Sequence, residues 1–438
     1  MNTESDSVVI DRLIAGGWGM ARCGSLVTFV RETIPGERVR IKQAQMHNGY
    51  QTAALAAVLE AVPERTIPLC HDYGVCGGCQ LQHIDAQAQL RYKHHIVQET
   101  LFRIGHIQLD SIALPLASPT PFHYRSWMRF VVDTNGALGL HQEGTHRLVE
   151  TLDCLLPVKP LKAVLTGLRE RLRGEQGSRN PIDQVELRHS LAFGTTVLIF
   201  RAAIAGKQQA HDVFERFASL PGVVGQVLYQ RQTGQKSKRS ACRYSIGEDS
   251  LMERFHDLTF SINDRSFMQA QWPMYETIGH MLCEWVQPGD RLRVLELYAG
   301  IGCLGLSLAR QGALVTLVEA NSYALRDARN AAKVNHIGRT RFRLAKAETY
   351  LASLQPGECD VVILDPPRAG LSKDCLGALI RLQAPRIFYL SCDTPSLARD
   401  LSRLRAGGYH VLRLQNFDMF PQTAHLETLV ELVRRSSA

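Results

Sequence analysis

Residues 386–395 read R-I-F-Y-L-S-C-D-T-P and predict a strand that runs directly into a helix. Residues 387–390 are apolar, which is typical of a buried parallel strand. Thr394 and Pro395 suit the N-cap and first position of a helix. Cys392 would then lie at the carboxyl end of the strand, where open α/β sheets bind ligands and a helix dipole can lower the pKa of a thiol. The alternative is a cysteine that only packs there.

The same alternation of strand and helix continues on both sides of this stretch, from residue 265 to the end of the chain. Helical stretches separate the predicted strands, except before the last one. The seven predicted strands are residues 291–297, 314–319, 341–345, 360–365, 386–391, 410–415 and 426–433. This order predicts an α/β fold with a Rossmann-like, seven-stranded domain over residues 265–438.

The N-terminal part has a different pattern, with short strand candidates over residues 8–60 separated by glycine and proline turns such as residues 16–19 and 35–36. About five such strands predict an OB-like β-barrel over residues 1–60, a fold that often binds oligonucleotides. A module that serves only stability is the alternative.

Between these parts we expect a middle α+β domain over residues 61–264. Apolar side chains at helical spacing predict a helix over residues 85–104, with Lys93 away from its apolar face and in solvent. Residues 123–130, H-Y-R-S-W-M-R-F, fit either nucleic-acid contact or a strand with alternating faces. Residues 231–243 form a basic loop suited to phosphate contact.

The composition limits the class of protein. The chain has 438 residues, 45% hydrophobic residues and a formal net charge of +8, which allows a full core and mildly favours a polyanionic partner. Its longest apolar runs are too short to cross a membrane, and its polar N-terminus does not resemble a signal peptide. We therefore expect a cytoplasmic protein without a membrane partner.

Three of the eleven cysteines form a cluster. Cys70, Cys76 and Cys79 have the spacing C-x5-C-x2-C, and Gly77 and Gly78 would let the backbone fold tightly around a small inorganic group. The odd number of cysteines argues against a disulfide framework. A fourth thiolate would complete the ligand set of an iron–sulfur cluster or a structural zinc site.

A glycine-rich loop follows the first strand of the C-terminal domain. Residues 295–305 read L-E-L-Y-A-G-I-G-C-L-G and contain G-x-G-x-x-G, a pattern found in dinucleotide sites. Glu319 ends the next strand and could accept the hydroxyl groups of a ribose. Asp365 ends the fourth strand, and the two prolines after it fix the backbone at the pocket edge. These three strand ends together favour S-adenosylmethionine over a dinucleotide.

With these motifs, nearly the whole chain resembles the RNA uracil-C5 methyltransferase family, which makes 5-methyluridine in ribosomal and transfer RNA. The shared motifs are F-M-Q at residues 267–269, L-Y-A-G-I-G at 297–302, D-P-P-R-A-G at 365–370, S-C-D at 391–393 and F-P-Q-T-A-H-L-E at 420–427. The resemblance implies that Cys392 is the nucleophile and Glu427 the base. It also implies a pocket for S-adenosylmethionine and uracil lined by Gln269, Tyr298, Gly300, Gly302, Glu319 and Asp365.

The resemblance extends to the N-terminal half. It implies that the barrel is a TRAM domain and that the middle domain binds RNA. It also implies that Cys70, Cys76, Cys79 and Cys154 hold a [4Fe-4S] cluster. The barrel and cluster are most similar to the 23S ribosomal RNA enzymes, and we expect a monomer. Three positions differ from the usual pattern, because Gln271 and Cys303 stand where asparagine is frequent and Thr394 where proline is usual.

Uracil chemistry accounts for these residues, because C5 is a poor nucleophile until a thiolate adds at C6. A carboxylate must then remove the C5 proton, and the base must leave its stack to reach the pocket. An amino-group methyltransferase is one alternative, since D-P-P occurs in those enzymes too. They usually have an aromatic residue after the prolines to stack the base, where this chain has Arg368, and they need no nucleophilic cysteine. A non-catalytic RNA-binding protein is the other.

Overall fold

The computed structural model describes residues 7–109, 112–173, 180–231 and 242–434. Most of the predicted basic loop, residues 232–241, lies outside this part of the chain. The structure is α/β and contains a closed N-terminal barrel, a middle sheet, a hairpin and a C-terminal sheet. The predicted fold class is confirmed.

The barrel has five strands in the order β1-β2-β3-β5-β4. They are β1 (Ser7–Ile14), β2 (Trp18–Cys23), β3 (Leu26–Val30), β4 (Arg38–Met46) and β5 (Tyr50–Glu60). The first turn is shorter than predicted, because only Gly16 and Gly17 have positive φ angles while Trp18 and Gly19 already belong to β2. A Cβ atom at Gly19 would lie 2.0 Å from Thr33 Oγ1, so the segment after β3 approaches β2 closely there.

The middle region begins with a long helix and then forms a seven-stranded sheet in the order β12-β11-β10-β9-β6-β7-β8. Its elements are α1 (Ala86–Arg103), β6 (Trp127–Val132), β7 (Leu138–His141), β8 (Leu148–Glu150), α2 (Lys159–Arg173), β9 (Ile182–His189), β10 (Thr196–Ala202), α3 (Lys207–Phe217), β11 (Val223–Gln230) and β12 (Arg243–Gly247). Residues of α2 and α3 such as Leu168 and Phe217 share a buried cluster with Phe130 and Phe200 of the sheet. A separate hairpin, β13 (Ser250–Phe255) and β14 (Leu258–Asn263), follows.

All seven predicted C-terminal strands are present, in the order β17-β16-β15-β18-β19-β21-β20. The elements are α4 (Trp272–Val286), β15 (Arg293–Leu297), α5 (Cys303–Arg310), β16 (Leu314–Glu319), α6 (Ser322–Val334), β17 (Thr340–Leu344), α7 (Ala347–Ala352), β18 (Val361–Leu364), α8 (Lys373–Leu382), β19 (Arg386–Ser391), α9 (Thr394–Ala406), β20 (Tyr409–Phe417) and β21 (Glu427–Arg434). The first five strands pair in parallel, whereas β21 is antiparallel to both its neighbours.

Two segments before residue 265 pack against this C-terminal sheet. Val97 and Leu101 of α1 share a buried cluster with Leu397 and Leu401 of α9, and the apolar side of the β13–β14 hairpin joins the core around α4 and α5. The predicted helix over residues 85–104 is confirmed as α1. The boundaries at residues 60 and 264 stay predictions, since elements of the middle region contribute to the C-terminal core.

Lys93 of α1 is wrongly predicted as a solvent-exposed residue. It is only 2% exposed, and its Nζ donates to Asp418 Oδ1 at 2.6 Å. The helical period identified one apolar face, but α1 is also covered by residues after β20, which periodicity does not reveal. Over the described ranges, no helix combines the length and the apolar character needed to cross a bilayer.

Candidate active site

The carboxyl ends of several parallel strands open into a single cavity of about 530 Å³. Most of the predicted site residues line it together. They are Gln269, Tyr298, Gly300, Cys303, Glu319, Asp365, Cys392 and Glu427. Gly302 and Gln271 are not among its lining residues. Side chains from distant parts of the sequence thus meet where a doubly wound sheet binds its ligands.

Cys392 and Glu427 are brought together by the antiparallel pairing of β19 with β21. Ser391 pairs with Thr428, and this register, extended by one residue, sets Cys392 opposite Glu427. Asp393 is the N-cap of α9, since its side chain accepts a hydrogen bond from the N–H of Ser396 at 2.9 Å. The predicted N-cap, Thr394, is therefore one residue too late, because a carboxylate is available to cap the helix just before it.

The thiol of Cys392 is held in its neutral form. Burial, followed by the neighbouring carboxyl groups of Glu427 and Asp365, raises its pKa to about 12, and the charge of Arg368 opposes this only in part. The sequence had suggested that the dipole of α9 would lower this pKa. The expectation fails because desolvation and two nearby acidic groups outweigh a single helix terminus.

The two carboxyl groups beside the thiol are also perturbed. Burial raises the pKa of Asp365 to about 7. Burial and the proximity of Asp365 raise the pKa of Glu427 well above its usual range. Acidic groups crowded into a protein-lined cavity resist ionisation together, and such perturbation is typical of functional sites.

The glycine-rich loop is shaped by unusual backbone angles. Tyr298 has a φ of +58° and Gly300 a φ of +56°, which is strain for a tyrosine and none for a glycine. The N–H of Gly300 donates to Glu319 Oε2 at 2.8 Å, and the N–H of Asn321 donates to Oε1 at 2.7 Å. These bonds fix the carboxylate of Glu319 at the cavity wall and leave its other lone pairs for a ligand.

Gly302 has a packing role in this structure. It is the N-cap of α5, with a φ of +81°, and an added Cβ would lie 2.6 Å from Leu317 Cδ2. Gln271, likewise outside the cavity lining, is buried and donates to Ser118 Oγ. Of the two side chains at positions where asparagine is frequent, only Cys303 faces the cavity.

Several lining residues were not assigned to the site from the sequence, among them His425, Tyr275 and Phe420. Burial and the positive charges of Arg368, Arg125 and Lys93 lower the pKa of His425 to about 4. Its Nε2 can therefore accept a hydrogen bond from Arg368 Nη2, which lies 3.4 Å away. His425 and Phe420 lie within the motif at residues 420–427, so the sequence could have assigned them to the site. Tyr275 belongs to an apolar helix, and no motif in the sequence indicates that it lines the cavity.

The loop of residues 418–426, which leads into Glu427, is held by contacts from the middle region. Lys93 Nζ donates to Phe420 O at 3.2 Å in addition to Asp418, and Tyr124 Oη donates to Pro421 O at 2.9 Å. Gln422 has a φ of +67°, and its carbonyl accepts from the N–H groups of residues 80 and 81, both at 2.9 Å. The segment that follows the cysteine cluster therefore supports the 418–426 loop directly.

All four predicted ligand cysteines, Cys70, Cys76, Cys79 and Cys154, line one small cavity in the middle region. Within the described ranges, no three metal-ligating side chains are close enough to form a site for a metal ion. An added Cβ at Gly77 would lie 3.0 Å from the backbone of residues 141 and 143, so a side chain at this position would require that backbone to shift. The convergence of four thiols fits the donor set of an iron–sulfur cluster, whose ligand sulfurs surround a body larger than one ion.

Comparison with known proteins agrees with this arrangement. Residues 243–435 match the family model of tRNA (uracil-5-)-methyltransferases. An uncharacterized RNA methyltransferase of Thermosynechococcus vestitus is 32% identical over 436 residues, covering 97% of this chain and 96% of the relative. Another, from Halalkalibacterium halodurans, is 30% identical over 444 residues, with 97% and 96% covered.

The fold has a solved counterpart. The crystal structure of Pyrococcus abyssi tRNA (uracil-54, C5)-methyltransferase in complex with S-adenosyl-L-homocysteine superimposes with a TM-score of 0.76 at 21% identity, covering 98% of this chain and 100% of that one. At this identity the likeness establishes the fold, and the full-length relatives establish the family. The chain belongs to the S-adenosylmethionine-dependent RNA uracil-5-methyltransferase family.

Proposed function

We propose that this protein methylates C5 of one uridine in 23S ribosomal RNA through a covalent bond between Cys392 and C6 of the base. The observation that carries the proposal is the pairing of Cys392 with Glu427 at adjacent strand ends, inside the cavity that also contains the glycine-rich loop. A thiol opposite a carboxyl group supplies both the nucleophile and the base that the reaction needs.

The remaining lining residues divide into a cofactor side and a base side. S-adenosylmethionine supplies the methyl group. Glu319 accepts the hydroxyl groups of its ribose, and the backbone of Gly300, with no Cβ, allows close approach. Gln269, Tyr298 and Asp365 line the same cavity as Cys392, and Gly302 supports the loop by packing.

The chemistry proceeds by addition, transfer and elimination. The thiol of Cys392 must lose its proton as the S–C6 bond forms, because its raised pKa leaves little thiolate at neutral pH. Asp365, which lines the same cavity and has a pKa raised to about 7, is the acceptor for this proton, so Glu427 is left free for the C5 proton. Electron density then moves to C5, which attacks the methyl group of S-adenosylmethionine, and the S–CH3 bond breaks to release S-adenosylhomocysteine.

Glu427 next removes the C5 proton, the C5=C6 double bond re-forms, and the S–C6 bond breaks to regenerate Cys392. A raised pKa suits Glu427 to this step, because a carboxylate that holds its proton more strongly is a stronger base. Arg368 and His425 form a hydrogen-bonded pair in the cavity wall beside the two catalytic groups.

We further propose that Cys70, Cys76, Cys79 and Cys154 hold a [4Fe-4S] cluster and that the barrel is a TRAM domain that contacts RNA. The four thiols that line one cavity, and the closed five-stranded barrel, support these assignments. The combination of barrel and cluster is the reason for proposing ribosomal rather than transfer RNA. A monomeric, cytoplasmic enzyme is consistent with this function.

The test is to map 5-methyluridine in total RNA from cells with and without this protein, by nuclease digestion and mass spectrometry. We expect one site in 23S ribosomal RNA to lose its 5-methyluridine when the gene is deleted. Expression of the unmutated protein should restore it, and expression of the Cys392→Ala variant should not.

A lost site in transfer RNA would overturn the ribosomal assignment and retain the reaction. Loss of a methylated exocyclic amine instead of 5-methyluridine would favour the amino-group methyltransferase alternative. No change in any methylated nucleoside would contradict the proposed activity itself.

A further inference from the structure

Two aromatic rings lie at the mouth of the active-site cavity, and the chemistry above uses neither of them. Trp127, the first residue of β6, and Phe267, between β14 and α4, both line the cavity. Their ring centroids are 6.4 Å apart and their planes meet at 66°. The Phe267 ring is 63% exposed, so it lies at the rim rather than in the interior.

A ligand that covers the exposed phenylalanine and the tryptophan beside it would remove apolar area from water, which is favourable. The exposure of Phe267 does not come from a loose backbone, because both of its neighbours are buried, with Ser266 at 1% and Met268 at 2% exposed. The ring is therefore held out at the rim by a well-packed segment.

One buried carboxylate holds Trp127 directly and the segment of Phe267 through Arg188. Glu186 of β9 is 5% exposed and accepts hydrogen bonds from Trp127 Nε1 at 2.7 Å, from Arg129 Nη2 at 2.7 Å and from Arg188 Nε at 2.7 Å. The first bond fixes the indole, and the others hold the carboxylate in place. A buried residue with its acceptors filled is a rigid support.

Arg188 extends this support to the second ring. Its Nη1 donates to Asn263 O at 3.1 Å and Ser266 O at 2.8 Å, and its Nη2 donates to Asp264 O at 2.9 Å. These carbonyls belong to the turn immediately before Phe267. The Glu186–Arg188 pair thus sets the relative position of Trp127 and Phe267 before any ligand binds, which reduces the entropy lost on binding.

Positive charge lies beside Trp127 and elsewhere in the same cavity, since the guanidinium of Arg129 is 5.8 Å from the centroid of the Trp127 ring. Arg125 and Arg368 line the same cavity, and the guanidinium of Arg125 is 5.3 Å from the ring centroid of Phe420. Arg125 Nε is buried and has no hydrogen-bond partner within the part of the chain that the structure describes. Flat apolar faces next to arginines are the combination that binds unpaired nucleotides, through stacking and phosphate contact.

We propose that Trp127 and Phe267 form a stacking site for the base next to the target uridine, held in place by Glu186 and Arg188. This inference rests on the proposed function. A uridine that enters the cavity leaves its stack and deprives its neighbour of a stacking partner. The aromatic pair at the cavity mouth replaces that lost contact, so this site contributes to the affinity for RNA and to the choice of sequence.

The probes are single-stranded RNA nonamers with one central uridine, in which 2-aminopurine replaces the base on its 5′ or its 3′ side. Stacking of 2-aminopurine on an aromatic ring lowers its fluorescence, so this readout reports the contact without turnover. With the unmutated protein we expect the fluorescence of one of the two probes to fall on binding. Trp127→Leu should abolish this fall and weaken binding about tenfold, whereas Trp127→Phe should retain most of both.

Phe102→Leu is the matched control, because Phe102 is 61% exposed on α1 and does not line the cavity. This variant should bind both probes as the unmutated protein does. Thermal unfolding of every variant shows whether it is folded. If Trp127→Leu is unstable, Trp127→Phe still tests the proposal. Loss of the fluorescence response in a folded Trp127→Phe variant would contradict a role for the aromatic face.

A nonamer with an abasic neighbour completes the test. If the base stacks on Trp127, removal of the base and Trp127→Leu should each weaken binding, and their combination should cost little more than either alone. Additive effects, or a fluorescence response that persists in Trp127→Leu, would overturn the inference while 5-methyluridine still forms. The absence of 5-methyluridine in the mapping experiment, with the stacking response intact, would instead refute the proposed activity.

Discussion

Cys392 and Glu427 act at different stages of the proposed reaction, so mutation of each residue alone can separate their roles. The thiol is needed before any bond to the base forms, while the carboxylate is needed only after methyl transfer. Glu427 is buried, and burial and the nearby Asp365 raise its pKa. A glutamine in its place preserves the shape of the site but cannot accept a proton.

The first prediction compares Cys392→Ala with Glu427→Gln. We expect Cys392→Ala to give neither product nor a covalent complex. Glu427→Gln should allow addition and methyl transfer but stall before elimination, because no base removes the C5 proton. Denaturing electrophoresis should then show a methylated RNA–protein adduct, with S-adenosylhomocysteine released at no more than about one per enzyme.

RNA that contains 5-fluorouridine is the positive control for this prediction, because fluorine cannot leave as a cation and the unmutated enzyme should be trapped similarly. Many turnovers by Glu427→Gln would show that Glu427 is not the base. Methylation by Cys392→Ala would exclude the covalent mechanism.

Glu296 is a second buried carboxyl group, but it acts on stability rather than on the reaction. Burial raises its pKa from 4.5 to about 8, and its Oε2 accepts from the N–H of Gly305 at 3.1 Å. Between these two pH values the unfolded chain releases the proton and the folded chain keeps it. The free energy of unfolding therefore falls as pH rises through this window.

The second prediction is that Glu296→Gln increases the free energy of unfolding at pH 8 by roughly 2–4 kcal/mol, because glutamine keeps the acceptor and cannot ionise. The difference should disappear below a pH of about 4, where the glutamate is protonated in both states. Urea unfolding at several pH values measures this. Asp360→Asn is a control with the opposite pH dependence. Hydrogen bonds from Arg293 lower the pKa of Asp360, so the contribution of Asp360 to the free energy of unfolding is lost as pH falls.

At the scale of elements, the contact between α1 and the 418–426 loop connects the middle region to the active site. Lys93 is fully enclosed, and its only carboxylate partner within the described ranges is Asp418, although burial lowers the pKa of its ammonium group. Gln89 reinforces the contact, since its Nε2 donates to Gln422 Oε1 at 3.0 Å. A buried charge with one partner is costly when that partner is lost.

The third prediction is that Lys93→Met lowers the free energy of unfolding by about 3–5 kcal/mol, because Asp418 is left buried without its cation. Adding Asp418→Leu should recover most of this loss. Lys207→Met, on the exposed face of α3, should have little effect. Denaturant titration measures all three variants, and a single Lys93→Met variant as stable as the unmutated protein would contradict the assigned pair.

Much of the element pattern was predictable because it depends on local periodicity. The seven C-terminal strands, the barrel and α1 follow directly from runs of apolar residues and turn residues. Lys93 was not predictable, because its burial depends on a loop more than 300 positions away. The pKa of Cys392 was misjudged for a similar reason, since it is raised by burial in the assembled cavity and by carboxyl groups that come from the residue after β18 and the start of β21 rather than from its own helix.

The site itself was largely predictable from motifs, but the roles within those motifs were not. Gly302 and Gln271 belong to motif segments and yet are not among the cavity-lining residues. Their positions follow from the packing of Gly302 against Leu317 and from the hydrogen bond that Gln271 donates to Ser118, and the sequence motifs do not predict either contact. The Glu186–Arg188 support of the two aromatic rings is likewise a tertiary feature.

At the scale of the whole molecule, three distant parts of the chain meet beside the active site. An added Cβ at Gly17, in the first turn of the barrel, would lie 3.2 Å from Gln80 Cβ and 3.3 Å from Ala424 Cβ. Gln80 follows the cysteine cluster, and Ala424 belongs to the 418–426 loop. The barrel, the cysteine segment and the loop that leads to Glu427 therefore form one packed junction.

The last prediction concerns the cysteines at this junction. Protein purified without oxygen should be brown and contain roughly four irons per chain, and zinc without iron would contradict the assignment. Cys79→Ala should lose the colour and the iron, whereas Cys23→Ala, in the barrel, should keep both.

Because Gln80 and Leu81 donate to the carbonyl of Gln422, loss of the cluster should also loosen the 418–426 loop, while Glu319 and the glycine-rich loop lie on separate strands and stay in place. Cys79→Ala should therefore reduce folding yield and adduct formation with 5-fluorouridine RNA more than it reduces S-adenosylmethionine binding measured by calorimetry. Equal losses of adduct formation and cofactor binding would mean that the cluster maintains the whole fold rather than this junction.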